Sequence, residues 1–360
     1  MARTIAATVE RDTLKSIVDA IAYPALVLSP TYRILEANDD ATSFFETELR
    51  GLDVVRVLRQ PEVKQALQRV AEAKSRQTCD IVIHRNTPRT FLVAVGPLKN
   101  GSDGTDYLLT LTDISFQIDA ERSRSTFVAN VSHELRSPLT TLLGVVETLQ
   151  GPARDDETAR NRFLELMHSE TRRMSRLVAD LLNLAKQEAK EHVRPADAVS
   201  LGNVLHQVVD ALEASDAYSS GRLTLDLEDV PRIRGTEDDL FEVFRNLVEN
   251  ALRYSDPDSP VTVRLRREES SSPTRPDRAV VEVEDRGDGI APEHVPHLTE
   301  RFYRVDKGRS REMGGTGLGL AIVKHIVNRH RGRLHFDTEA GRGTTVTVAL
   351  PIRSAEAGAS

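Results

Sequence analysis

The sequence predicts a multidomain α+β chain of three parts: a small α/β module, a helical hairpin that pairs as a dimeric four-helix bundle, and an α/β sandwich with helices over one face of a mixed sheet. Three observations carry this. The length of 360 residues exceeds one ordinary domain of roughly 100 to 150 residues. Between Phe127 and Leu184 apolar residues recur at helical spacing. On either side, short apolar runs bounded by turn residues read as strands, and after residue 201 they alternate with helical stripes. The expected boundaries are 12–116, 117–190 and 201–352.

The first part opens with strands Pro24 to Leu28 and Arg33 to Ala37 around Ser29-Pro30. A polar helical stretch leads to strands Asp80 to His84, Arg89 to Val95 and Tyr107 to Leu111, the last preceded by the turn Lys99 to Thr105. Thr112-Asp113-Ile114 closes the module, and a charged helical connector, Gln117 to Ser125, leads onward.

In the hairpin, Val128, Val131, Leu135, Pro138, Leu142, Val145 and Leu149 are spaced by alternating threes and fours, the seam of a helix lying along a partner. That helix ends near Gln150, where Gly151-Pro152 and acidic residues break it. The second helix carries Phe163, Leu166, Leu177, Leu181 and Leu184. A lone hairpin cannot cover both stripes, so a homodimer is expected.

Ala189 to Ser200 reads as a linker. From Leu201 come a helix, strands Arg222 to Leu227 and Arg232 to Arg234, and a strong helix from Glu237 to Tyr254. Strands Val261 to Arg266 and Ala279 to Glu284 are joined by the polar insert Glu268 to Arg278. Helix Leu318 to Arg331 and strands Arg333 to Asp337 and Thr344 to Leu350 close the domain.

A net charge of −7 argues against a general nucleic-acid binder, whose mark is a basic stripe; the partner expected is a protein. Cys79 is the only cysteine, so an internal disulfide and thiolate metal clusters are excluded, which suits a reducing compartment. Cys79 is either a flavin-reactive thiol or a satisfied strand residue, and His84 either a haem ligand or a satisfied strand residue; the strand reading is the one expected for both. No stretch reaches the ~20 apolar residues of a membrane-spanning helix, and the opening MARTIAATVERD carries acid too early for a secretory signal. A cytoplasmic chain is expected, membrane-associated if a segment precedes Met1.

His133 falls opposite the seam of its helix, with Arg136, Ser137 and Thr140 on the same face and Glu134 beside it. It is either an ordinary surface histidine or a nucleophile. Imidazole is largely neutral near pH 7, so one ring nitrogen can attack while the other sheds its proton, and Glu134 is the acceptor at hand. Pro138 lacks a backbone donor and is expected to kink the helix one turn on.

The C-terminal domain carries four separated signals. Asp285-Arg286-Gly287-Asp288-Gly289-Ile290 sets a carboxylate at a strand end before a turn, and Gly341-Arg342-Gly343-Thr344 is another glycine turn. Gly315-Thr316-Gly317-Leu318-Gly319-Leu320 sets glycines at a helix N-terminus, where free N–H groups and the helix dipole favour phosphate. Asn246 and Asn250 lie on one helix face. Neither GxxxxGK[ST] nor GxGxxG occurs, so a P-loop or Rossmann site is unsupported.

The string His133 to Thr140, HELRSPLT, resembles the phosphoacceptor box of bacterial two-component sensor histidine kinases. The four C-terminal signals, in this order, resemble the ATP-binding domain shared by histidine kinases, gyrase-type topoisomerases, heat-shock ATPases and mismatch-repair ATPases. Only the histidine kinases place the phosphoacceptor helix upstream of it. The resemblance covers Phe127 to Leu350, and the phrase RFYRVDKGRSREMGGTGLGLAIVKHIV looks close to PhoR-type phosphate-regulon sensor kinases. The strand order of the first module, with Glu36-Ala37-Asn38, is similar to a PAS domain.

The resemblance implies ATP and Mg²⁺. Asp285 would accept a hydrogen bond from the adenine amino group, with Gly287 and Gly289 allowing close approach. Asn250 would ligate Mg²⁺ through its amide oxygen. Asn246, Arg253 and Tyr254 would line the same helix of the nucleotide site, with Arg253 facing phosphate and Tyr254 near the base or in the helix–sheet core. Gly315, Thr316, Gly317, Leu318, Gly319 and Thr344 belong to the phosphate-holding turns. Thr299 to Tyr303 and the basic stretch Arg304 to Arg311 resemble a lid over ATP. His133 would take the γ-phosphoryl group with Glu134 as base, and Ser137, where the family usually has threonine or asparagine, would orient water for dephosphorylation. Since no receiver-like domain remains, the phosphoryl group is expected to pass to an aspartate of a separate response regulator. The alternative is a non-catalytic dimeric scaffold that binds nucleotide and signals by shape.

Overall fold

The computed structural model describes residues 15–85, 87–100, 104–190, 193–214, 221–270, 272, 276–306 and 315–352. The chain divides into two compact units, Met1–Thr126 and Phe127–Ser360.

In the first unit, β1 (Ala25–Leu28), β2 (Ile34–Ala37), β3 (Gln77–His84), β4 (Pro88–Asn100) and β5 (Gly104–Asp113) form a sheet in the order β2-β1-β5-β4-β3. Every pairing is antiparallel. The polar helical stretch resolves into α1 (Asp39–Phe45), α2 (Val54–Val57) and α3 (Pro61–Ala73). Asn38 explains the start of α1. Its buried Oδ1 accepts the N–H groups of Ala41 at 2.9 Å and Ala25 at 3.0 Å, while Nδ2 donates to the Tyr23 carbonyl at 2.7 Å. One side chain thus caps a helix and pins β1. α3 buries Val63, Ala66, Leu67 and Val70, the helical three-and-four spacing, in a core with Leu26, Leu28, Val93, Leu109 and Leu111. Of the predicted turn Lys99 to Thr105, residues 101–103 lie outside the described residues.

α4 (Ser115–Gln150) and α5 (Glu157–Ala189) form the hairpin, the second unit taking α4 from Phe127. Asp156 caps α5 by accepting the Ala159 N–H at 2.9 Å. Helical structure continues through the buried Pro138, without the break that a proline can impose. Pro138 and Val145 are buried and Val131, Leu135, Leu142 and Leu149 half-buried, as the seam predicts. Val128 departs from it at 58% exposure. Phe127, one residue earlier, takes the inward place, its ring centroid 5.8 Å from that of Phe302. Leu139 and Leu143 on α4 and Leu164, Val178 and Leu182 on α5 are exposed.

The rest of the second unit is the sandwich. The expected linker is not free of structure: β6 (Asp197–Val199) pairs antiparallel with β8 (Ile233–Gly235), and Val199 is buried. Three residues are too short for a periodic signal, which is why the sequence reading missed it. β7 (Leu223–Leu227), β9 (Val261–Glu268), β10 (Arg278–Asp285), β11 (Arg333–Glu339) and β12 (Gly343–Pro351) form a mixed sheet ordered β11-β12-β10-β9-β7, with β7 parallel to β9. Val261, Val263 and Leu265 alternate inward on β9, as do Ala279, Val281 and Val283 on β10. α7 (Glu237–Tyr254) covers those two strands, and α6 (Leu201–Glu213) and α8 (Gly319–Arg329) flank it. In the polar insert, residues 271 and 273–275 lie outside the described residues, as do 307–314 of the predicted lid. Among the described residues no helix is long and apolar enough to cross a membrane.

Candidate functional site

A cavity of about 450 Å³ opens between α7, the β10 turn, the start of α8 and one turn of α5. Its wall gathers Asn246, Asn250, Arg253, Tyr254, Asp285, Gly289, Arg304, Gly315, Thr316, Gly317, Gly319 and Thr344 from segments far apart in sequence. Gly287 and Leu318 are not on the wall. Leu318 is buried, with its N–H donating to Thr316 Oγ1 at 3.3 Å. Gly287 stands behind the wall: a side chain there would meet the Tyr254 backbone, its carbonyl carbon 3.0 Å from a Cβ. Tyr254 itself lies on the wall, 38% exposed, outside the helix–sheet core.

Asp285 ends β10 and faces the cavity. Its Oδ1 accepts N–H groups from Gly287 at 2.9 Å and Thr344 at 3.3 Å, which fixes the carboxylate's direction. Burial pushes its carboxyl above the usual carboxylate range; the two N–H donors pull the other way, and Glu284 adds to the rise. The apolar side of the wall is Ile290, Leu298, Phe336 and Val346, a surface suited to a flat heterocycle.

The opposite end is polar. Asn246 Nδ2 donates to the Glu242 carbonyl at 2.9 Å, and its Oδ1 faces Gly319, where a Cβ would lie 2.6 Å from it. Glycine at 319 therefore lets the start of α8 close on α7. Arg245 donates to both carboxylate oxygens of Glu242, at 2.8 and 2.9 Å. Asn250 lies on the wall, and among the described residues its carboxamide has no hydrogen-bond partner. That oxygen fits a hard cation such as Mg²⁺.

His133 does not line this cavity. It is exposed and shares a separate shallow groove with Arg136, Ser137, Thr140 and Thr141. Glu134, the expected base, points elsewhere. Arg173 Nη2 donates to its Oε2 at 2.6 Å and Arg304 Nη2 to the same oxygen at 3.4 Å. In this arrangement Arg304, although it borders the cavity, is an ion-pair partner of Glu134. Arg304 is 6% and Arg173 8% exposed at the side chain.

Sequence reasoning did not find Arg176, Ala179 and Asp180, which bring α5 to the cavity wall, or Arg245, whereas Asp288 and Tyr303, which also line it, fell within the Asp285–Ile290 signal and the expected lid. The signal for α5 lies in the fold: the Thr316 hydroxyl meets Asp180 Oδ2 at 2.6 Å across 136 positions. Tyr303 is anchored by His294, whose Nδ1 is 2.7 Å from the tyrosine hydroxyl.

Residues 123–190 match the His Kinase A (phospho-acceptor) domain, and residues 235–354 match the histidine kinase-, DNA gyrase B- and HSP90-like ATPase. The chain belongs to the bacterial two-component sensor histidine kinases. It is 39% identical over 253 residues to the phosphate regulon sensor protein PhoR of Pseudomonas aeruginosa, covering 70% of this chain and 56% of that one. It is 36% identical over 258 residues to the sensor protein kinase WalK of Staphylococcus aureus, covering 71% and 60%. Among solved structures, the histidine kinase AdeS of Acinetobacter baumannii is 25% identical with a TM-score of 0.45, covering 62% of this chain and 98% of that one. The chain thus spans less than two thirds of the length of the curated relatives named.

Proposed function

We propose that this chain is an ATP-dependent sensor histidine kinase that phosphorylates its own His133 and passes the phosphoryl group to an aspartate of a separate response regulator. The observation that carries the reading is the single cavity that collects Asn246, Asn250, Asp285 and the glycine turns in the unit that also holds an exposed His133. An imidazole nitrogen of His133 attacks the γ-phosphorus. The N–P bond forms, the bond from γ-phosphorus to the bridging oxygen breaks, and ADP leaves with that oxygen's electrons. The other ring nitrogen gives up its proton to Glu134, for which the carboxylate must first turn from Arg173 and Arg304 toward the imidazole. Asp285 orients the adenine, and Asn246, Arg253 and the N–H groups at the start of α8 position the phosphates, since positioning and charge neutralisation dominate phosphoryl transfer. Asn250 would hold Mg²⁺, which supplies neutralisation of phosphate charge.

The exposed stripe Leu139, Leu143, Leu164, Val178 and Leu182 supports pairing of two hairpins as a homodimer. The antiparallel order β2-β1-β5-β4-β3 supports a PAS-like reading of the first module. A role in the phosphate regulon is supported by the identity to PhoR, and the cytoplasm is the proposed location because ATP is available there. A phosphatase output on the regulator is favoured by one observation: Ser137 and Thr140 share His133's open groove, where a hydroxyl could orient water.

Incubation with γ-labelled ATP and Mg²⁺ tests the reading. Label that is acid-labile, base-stable and absent from His133→Ala is expected; label retained by His133→Ala would overturn the assignment. Loss of label from a phosphorylated regulator, slowed by Ser137→Ala, is the result expected for the phosphatase output.

A further inference from the structure

Arg176, Ala179 and Asp180 present one turn of the hairpin helix α5 to the cavity, the spacing that puts residues on one helix face. The contact made there is specific. The Thr316 hydroxyl donates to Asp180 Oδ2 at 2.6 Å, and the same oxygen of Thr316 accepts the Leu318 N–H at 3.3 Å. One hydroxyl therefore joins a hairpin carboxylate to the first turn of α8. The next residue is held too: Gly317 has φ +72°, a Cβ on it would lie 2.9 Å from Phe302 backbone atoms, and its carbonyl accepts the Phe302 N–H at 2.8 Å. The glycine turn is clasped between the base of the lid and α5.

We propose that Asp180 is an affinity-determining residue of the nucleotide site, a hairpin carboxylate that competes with nucleotide phosphate for the Thr316 hydroxyl and the turn it belongs to. The inference rests on the cavity being the nucleotide site. A carboxylate and a phosphate oxygen are alternative acceptors for one hydroxyl proton, and two anions at the same turn repel. Arg176 and Arg245 flank the position and attract either anion. The environment already strains the carboxylate: burial raises its pKa, the Thr316 hydrogen bond and the two arginines lower it, and Glu242 raises it. Binding of phosphate thus favours release of the turn from α5. By reciprocity, movement of α5 away from the turn strengthens nucleotide binding by the same factor. A motion of the hairpin would then be read as a change in nucleotide affinity.

The test is equilibrium titration of the full chain with ADP and, separately, adenosine, for wild type, Asp180→Ala and Asp180→Asn. Losing a charge-assisted competitor of about 1.5 kcal/mol corresponds to roughly tenfold tighter ADP binding in Asp180→Ala. Asp180→Asn keeps an acceptor oxygen without the charge and should fall between wild type and alanine. Adenosine, which brings no phosphate, should bind all three alike. A purely structural Asp180 would give weaker binding of both ligands in both variants, and that result overturns the proposal, as does unchanged ADP affinity. If wild type binds ADP and Asn250→Ala weakens it while the Asp180 variants match wild type, only the competitor role fails. If wild type binds neither ligand, the nucleotide-site reading fails with it.

Discussion

Gly343→Ala and Gly341→Ala form a matched pair in one turn. Both glycines have positive φ, +108° and +82°, so an alanine at either is strained, by about 1–3 kcal/mol. They differ in what a Cβ meets. At 341 nothing lies within 4 Å, whereas at 343 the Cβ runs into the Asp285 carbonyl oxygen, with Arg286 Cα at 2.9 Å and the Asp285 carbonyl carbon at 3.0 Å. Backbone is the obstacle, so relief requires β12 to part from β10 where Asp285 faces Thr344. That movement disturbs the N–H groups of Gly287 and Thr344 that hold the Asp285 carboxylate, each worth about 1 kcal/mol. Gly343→Ala should therefore lose roughly 3–5 kcal/mol of stability and Gly341→Ala only the shared strain of about 1–3 kcal/mol. Urea unfolding gives the stabilities, and ADP titration on the folded fraction gives the affinities. Only Gly343→Ala should weaken ADP, by about tenfold or more. Equal destabilisation of the two variants, or undiminished ADP affinity in a folded Gly343→Ala, would refute the reasoning.

Arg329→Ala should destabilise by about 3–5 kcal/mol in urea unfolding, because Arg329 and Asp239 form a 2.9 Å ion pair with both side chains 5% exposed, and Arg329 also donates to the Val193 carbonyl at 2.9 Å. Asp239→Asn in that background should recover part of the loss. His330 is buried, with Nδ1 2.8 Å from the Ile326 carbonyl and Nε2 accepting the Thr236 N–H at 3.2 Å, so its neutral form fits. Burial holds its pKa below 6.5, with Arg329 adding to the drop while the Ile326 hydrogen bond and Asp239 oppose it. The unfolded chain then binds more protons, stability rises with pH, and this part is lost as pH falls from about 6.5 through the folded value. A thermal midpoint that drops on acidification in wild type, and less in His330→Gln, is expected. Asp285→Asn should weaken ATP by about tenfold for the loss of one charge-assisted hydrogen bond and improve inosine triphosphate relative to ATP, since an amide N–H can donate to a 6-oxo group; competition titration reads the ratio.

Much of this fold is written in local pattern. The helix from Glu237 to Tyr254 was legible residue for residue, because Leu240, Phe244, Leu247 and Ala251 bury one face with Asp and Glu in the first turn. Strands β9 and β10 were legible because one face is buried and the other is not. β6 was not, since its pairing with β8 is settled by a partner more than thirty residues on. In the candidate site, Asn250 and Asp285 and the glycine turns carried their own signals at helix faces and strand ends. The contribution of α5 did not: Arg176 and Asp180 sit in a charged helix, and only the tertiary approach of the Thr316 turn distinguishes them. The ion pairs of Glu134 were equally hidden, because their partners, Arg173 and Arg304, lie 39 and 170 positions further along the chain.

The most direct measurement is the position of the phosphate. The wild-type chain would be incubated with ATP and Mg²⁺, digested under mildly alkaline conditions that preserve phosphoramidates, and mapped by tandem mass spectrometry. Phosphate on the His133 imidazole is the result expected. Phosphate on Ser137 or Thr140 instead, or none in a chain that binds ATP, would contradict the assignment of this protein as a kinase acting through His133.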